Sequence, residues 1–271
     1  MARILLHGAL GRMGQTVAAL AREASQNISS NNSSTKSPVD APVITAGVDK
    51  LTIPSSLQFP LYRTLDEVRE PFDVIMDFSK PDALTSLLTF ARDRSAALAL
   101  ATTGFDEAEM MRITAASRDI AIFRSANFSV GVYVLTELAR RAALTLPGCD
   151  VEITETHHRT KLDAPSGTAL SLARAIDEAN SEPLVPRYGR APNEPPRQHG
   201  EMGIHALRGG TAAGDHSIYF LMDGETIELT HRAHSRDVFA RGALRAAQWL
   251  ASKPAGLYGM KDMLDTPDRR L

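Results

Sequence analysis

The chain has 271 residues, of which 43% are hydrophobic and 23% charged, and a formal net charge of -2. That length accommodates two modest domains with real cores; the near-balanced charge excludes a general basic field for nucleic acid, and no apolar run is long enough for a bilayer-spanning helix. Cys149 is the single cysteine, which excludes an intrachain disulfide and, with no secretory signal at the N-terminus, points to a soluble cytoplasmic protein.

Arg3 to His7 reads as a short apolar strand that runs into Gly8-Ala9-Leu10-Gly11-Arg12-Met13-Gly14 and then a helical stretch from Gln15 to Glu23. Strand, glycine turn and helix is the context of a dinucleotide site, although Leu10 stands where the general fingerprint has its second glycine. A bare glycine turn is the alternative. The polar run from Ser25 to Pro38 lacks the apolar content needed to order itself and reads as a flexible loop. It lengthens the connection to the second strand, Val43 to Val48, so the acid expected roughly 20 residues past the glycines arrives only at Asp49. In a Rossmann reading Asp49 accepts from the ribose hydroxyls and Lys50 meets a 2′-phosphate; a solvated pair after a strand is the competing reading.

Phe72 to Phe78, Ala96 to Ala101 and Ile120 to Phe123 repeat the strand pattern, with helices through Leu87 and Phe90 and from Glu107 to Arg118 between them. Alternation of this kind predicts a parallel sheet wound on both faces, with ligands at the carboxyl ends of its strands. Those ends carry Asp77-Phe78-Ser79, Ala101-Thr102-Thr103-Gly104 and Ser125-Ala126-Asn127-Phe128. A long helix follows from Ser129 to Leu146, with Val132, Leu135, Leu138, Ala139 and Ala142 on its buried face.

The chemistry concentrates between Glu152 and Leu170, EITETHHRTKLDAPSGTAL, which reads as strand, loop and helix. His157, His158, Arg159 and Lys161 form a cationic cluster that leads into Asp163-Ala164-Pro165-Ser166-Gly167-Thr168, a helix start. The amides of Ser166, Gly167 and Thr168 would face an anion there, a carboxylate or a phosphate. Taken separately, a basic loop is usually a solvated surface and Ser-Gly-Thr an ordinary cap; their adjacency favours a site. Zinc is disfavoured, because neighbouring histidines on a strand point to opposite faces and no further ligands complete a set. Beyond it, Pro183 to Pro196 is too broken for regular structure. Gly203 to Arg208, His216 to Met222 and Thr226 to Thr230 are strand-like, with a hairpin at Asp223-Gly224. Val238 to Leu250 is a final helix, with Phe239, Ala243, Ala246, Ala247 and Leu250 at helical spacing.

HHRTKLDAPSGTA closely resembles the signature of the 4-hydroxy-tetrahydrodipicolinate (dihydrodipicolinate) reductase family, and the GALGRMG turn and the three strand ends match it as well. The resemblance implies a Rossmann-like doubly wound domain of residues 1–127 and 238–271. It implies a second α+β domain of residues 128–237, with an open mixed sheet, that binds substrate and builds a homotetramer. Hinges near Asn127 and from Ser235 to Asp237 would let the two close on a ligand. NADH or NADPH would be held by Gly8, Ala9, Leu10, Gly11, Arg12, Met13, Asp49, Lys50, Phe78, Ala101, Thr102, Thr103, Ser125, Ala126, Asn127 and Phe128; the family commonly has Gly in place of Ala101. A small dicarboxylate substrate would be held by His158, Lys161, Ser166, Gly167 and Thr168. His157, with Lys161 as a second donor, would supply the proton that follows hydride transfer, a role suited to imidazole. No metal, nucleic acid or membrane is implied. A thioester-forming semialdehyde dehydrogenase is the rival within the class, but Asp150 beside Cys149 opposes a thiolate. A nucleotide sensor without turnover is the rival outside it, and the intact His157 and Lys161 argue against that.

Overall fold

The computed structural model describes residues 1–29, 42–51 and 57–265. Contacts divide the chain into two compact units, one formed by Met1–Ser129 together with the segment from Asp237 onward, the other by Val130–Arg236.

The first unit is built on β1 (Arg3–His7), α1 (Arg12–Ser29), β2 (Val43–Val48), β3 (Leu61–Tyr62), β4 (Val74–Asp77), α2 (Leu84–Asp93), β5 (Ala97–Leu100), α3 (Glu107–Ala116) and β6 (Ala121–Arg124). The chain leaves through α4 (Val130–Thr145) and returns as α6 (Asp237–Leu250), β12 (Gly256–Tyr258) and α7 (Met260–Leu264). Its seven strands lie in the order β12-β6-β5-β4-β1-β2-β3 and every pair is parallel. Strands buried on both faces read as continuous apolar runs, which is why Ile4, Leu5 and Leu6 are all fully buried. Leu5, Ile75, Leu98, Leu100 and Ile122 share one core with Leu84, Leu87 and Leu88 of α2 and Ile113 of α3. α6 lies over β4, β5 and β6 and against α1. Its buried stripe of Ala240, Ala243, Ala247 and Leu250 is mostly alanine, which lets the helix approach closely.

The second unit places β7 (Asp150–His157), α5 (Gly167–Asp177), β8 (Val185–Tyr188), β9 (Glu201–Arg208), β10 (Gly214–Met222) and β11 (Glu225–Ala233) with α4. The sheet order is β11-β10-β7-β9-β8; β10 is antiparallel to both neighbours, whereas β7, β9 and β8 run parallel. Leu135 and Ala139 of α4 and Ala169, Leu172 and Ile176 of α5 cover one sheet face, against Val151, Ile153, Met202, Ile204, Ile218 and Phe220.

The predicted doubly wound sheet and open mixed sheet are both present, with local differences. α1 begins at Arg12 rather than Gln15, and takes in Ser25 to Ser29 of the polar run; residues 30–38 of that run lie outside the described residues. The Pro-rich passage does contain a strand. β8 is an edge strand, where Pro186 can miss a ladder bond, and it is tied at its ends by Val185 N–H to Gly200 C=O and Gly189 N–H to Ile204 C=O. Leu138 is half exposed, and the buried stripe of α4 runs through Val132, Leu135, Ala139 and Ala143 instead. The short β3, β12 and α7 carry too little periodicity to have been anticipated. Among the described residues no helix is long and apolar enough to cross a membrane.

Candidate active site

β7 alternates strictly, so Val151, Ile153, Glu155 and His157 share its buried face. The first two enter the core. The next two put a carboxylate and an imidazole where apolar residues would otherwise sit. Glu155 Oε2 accepts from His157 Nδ1 at 2.6 Å and from Arg208 Nη1 at 2.8 Å; Oε1 accepts from Arg208 Nη2 at 2.7 Å and from the Ser166 amide at 3.0 Å. Burial opposes the charge, but the Arg208, His157 and Ser166 hydrogen bonds prevail and hold the carboxyl below its ordinary range. Arg208, raised in turn by Glu155, also donates to the carbonyls of Leu207 and Asp163.

His157 is 8% exposed, and its ring meets His216 edge-on with centroids 5.3 Å apart. Its Nε2 lies against Gly214, where a Cβ would stand 2.8 Å away; that glycine also has φ +152°, which a side chain would strain. His216 is buried, and burial first, then the nearby His157, pushes its pKa down to about 4. Its Nε2 is 2.9 Å from Ser166 Oγ.

Ser166 caps α5: its Oγ accepts the Ala169 amide at 3.1 Å. The Ser166 N–H and hydroxyl are therefore both committed inside the protein, and the residue is 2% exposed. This corrects the expectation that its amide faces a ligand. The amides of Gly167 and Thr168 lie ahead of the first intrahelical bond, Leu170 N–H to Ser166 C=O, and beside Gly167 a Cβ would meet only open space. Lys161 Nζ donates to Asp163 Oδ1 at 2.8 Å, which leaves other ammonium protons for a second acceptor. His158 diverges from His157: its Nδ1 contacts Thr160 Oγ1 at 2.9 Å and its Nε2 faces Arg236 Nη2 at 3.3 Å. Arg159 is exposed and tied through its amide to Gly210 C=O.

In the first unit the expected cofactor residues gather at the carboxyl ends of β1, β2, β4, β5 and β6, and the strand order reverses at β1, with β2 and β3 added on one side and β4, β5 and β6 on the other. Gly8 has φ +77°, and a Cβ there would stand 2.8 Å from the Phe78 carbonyl. The turn consumes its own first amides: Gly8 and Ala9 donate to Val48 C=O, Leu10 to Asp49 Oδ2 at 2.9 Å, and Gly11 to Gly8 C=O. Arg12, Met13 and Gly14 precede the first helical bond, Gln15 N–H to Gly11 C=O, so phosphate would meet those amides. Arg12 and Lys50 are exposed, and Lys50 pairs with Asp82. The side chains of Ala9, Thr102 and Phe128 are buried. The Thr102 hydroxyl donates to Asp77 Oδ2 at 2.7 Å, and Asp77 is bonded as well to His7 and the Ser79 amide. Phe78, Ala101 and Ser125 are partly buried and Thr103 and Ala126 exposed; Ser125 and Asn127 shape the turn after β6 through their own bonds. The residues present fit a dinucleotide.

The model of the family described as "Dihydrodipicolinate reductase, N-terminus" matches residues 2–128, and that of "Dihydrodipicolinate reductase, C-terminus" matches residues 131–264. The chain belongs to the dihydrodipicolinate reductase family. Relatives named 4-hydroxy-tetrahydrodipicolinate reductase include one from Caldanaerobacter subterraneus, 43% identical across 97% of this chain and 98% of that protein. Another, from Pseudomonas fluorescens SBW25, is 41% identical across 98% of this chain and 99% of its own. A solved dipicolinate-bound dihydrodipicolinate reductase from Paenisporosarcina sp. TG-14 aligns with a TM-score of 0.75 at 25% identity, covering 97% of this chain and all of that one.

Three polar residues of this dihydrodipicolinate reductase fold went unread in the sequence. Glu155 had a usable signal, an acid two positions before a histidine on an apolar strand face. Arg208 and His216 had none, because only sheet pairing brings them to β7.

Proposed function

We propose that this dihydrodipicolinate reductase family member reduces the cyclic imine dicarboxylate derived from 4-hydroxy-tetrahydrodipicolinate to tetrahydrodipicolinate, in lysine and diaminopimelate biosynthesis, using NADH or NADPH. The observation that carries the reading is a single carboxylate, Glu155, bonded on one oxygen to His157 and on the other to the cap of α5. It ties a proton donor to an anion cradle. The nicotinamide, when bound, supplies the hydride. Arrival of that hydride at C4 leaves negative charge at C3, which the His157 Nε2–H quenches by proton transfer. Lys161, His158 and the Gly167 and Thr168 amides hold the substrate carboxylates, and Lys161 also steadies the developing charge.

In the first unit the α1 amides of Arg12, Met13 and Gly14 receive phosphate. Asp49 suits a ribose diol and Lys50 and Arg12 a 2′-phosphate, so both cofactors are used. The second unit binds substrate and assembles a cytoplasmic homotetramer; within that unit both helices pack on one sheet face, which leaves the other for copies of the chain.

The test is oxidation of NADH and NADPH with enzymatically generated substrate. His157→Ala should lower kcat by about 10²–10⁴-fold, whereas Thr168→Val should mainly raise KM. If His158→Ala loses kcat and His157→Ala keeps it, the acid is the other histidine. Cofactor binding without any turnover would instead mark a nucleotide sensor.

A further inference from the structure

The Glu155 carboxylate is fully buried, and a buried charge persists only when its lone pairs are filled. Each of its oxygens receives two donors, from Arg208, His157 and Ser166. Arg208 cannot swing away easily, because its two terminal nitrogens are also bonded to the Leu207 and Asp163 carbonyls. An ionised carboxylate only accepts, so the proton between it and His157 sits on Nδ1. That fixes the tautomer and leaves Nε2 as the nitrogen that exchanges its proton.

We infer that Glu155, clamped by Arg208, is a positioning residue for His157: it sets the Nδ1–H tautomer, prevents the ring from flipping and stabilises the imidazolium that proton delivery requires. The inference rests on the reading of His157 as the acid. The competing account is a buried ion pair that merely joins β7 to β9. The two differ in pH dependence. The charged or titratable groups around the imidazole are Glu155 on β7, Arg208 on β9, His216 on β10 with His231 beyond it on β11, and the Lys161–Asp163 pair in the following segment. His216 is neutral near pH 7, since burial holds its pKa at about 4. Arg208, whose pKa Glu155 raises, stays charged through the working range. Removing the Glu155 charge should therefore act on His157 alone in that range.

Glu155→Gln keeps the shape and removes the charge. It should lower kcat at least about tenfold with KM changed little, and the alkaline fall of kcat should move to lower pH by about one unit or more. The direction follows because the imidazolium loses its counter-ion and gives up its proton earlier. In a His157→Ala background the same substitution should cost less than about twofold in kcat, because its target is gone. Unchanged kcat and pH profile in Glu155→Gln, alongside a dead His157→Ala, would overturn the inference and leave the acid assignment standing. An active His157→Ala would sink the assignment itself. Should Glu155→Gln fail to fold, nitrogen NMR of histidine-labelled wild-type protein decides: a neutral His157 protonated on Nδ1 is expected, and an Nε2–H tautomer would refute the inference.

Discussion

A buried imidazole with no carboxylate bonded to it favours its uncharged form, and His216 shows what that implies for the acid side of the pH range. Its pKa is about 4 in the folded chain against an ordinary 6.5, through burial first and His157 second. A depressed pKa means that the unfolded chain takes up the proton first as pH falls. The stabilisation is thus complete above about pH 6.5 and is lost progressively down to about pH 4. Between pH 7 and pH 5 the loss is about 2 kcal/mol, at ~1.4 kcal/mol per unit. His216→Gln keeps a polar partner for Ser166 but cannot charge, so the pH 7 to pH 5 difference in urea unfolding should shrink by about that amount. Equal slopes in the two proteins would mean that His216 titrates normally.

At the level of elements, α5 depends on one residue with several tasks. Ser166 caps the helix, reaches His216 and gives its amide to Glu155. Ser166→Ala keeps the amide bond and removes the hydroxyl, which should cost about 1–2 kcal/mol in urea unfolding with an unchanged m value. A cost near zero would show that water replaces the hydroxyl at both partners. The same element shows what a sequence can reveal. The cap, the glycine turn and the Asp223-Gly224 hairpin are local, so their residues announce them. β8 hides behind its prolines, and β12 is three residues long. The surroundings of His157 are less legible still, because Arg208 reaches Glu155 from 53 positions away and His216 reaches Ser166 from 50. Those meetings are set by strand order, which no local pattern encodes. Ser166 misleads for the same reason: it looks like a ligand contact by type and place, yet its amide and hydroxyl are spent on buried internal partners.

For the whole molecule, the expected cofactor residues all belong to the first unit and His157, Lys161 and Thr168 to the second. Titration of NADH or NADPH without substrate should accordingly give Kd values for His157→Ala and Thr168→Val within about twofold of wild type, since the expected cofactor contacts all come from the first unit. A large change in either would show that the second unit contributes to cofactor binding before substrate arrives. The first unit is discontinuous: α6, which lies over β4, β5 and β6, and β12, which pairs with β6, follow the whole of Val130–Arg236 in sequence. A ribosome therefore delivers β1 through β6 early but withholds the helix that covers β4, β5 and β6, and Phe123 waits for the Trp249 ring that packs against it. The continuous insert has all its own strands and helices as soon as it has emerged and can close at once. The part of the chain that is made first is finished last.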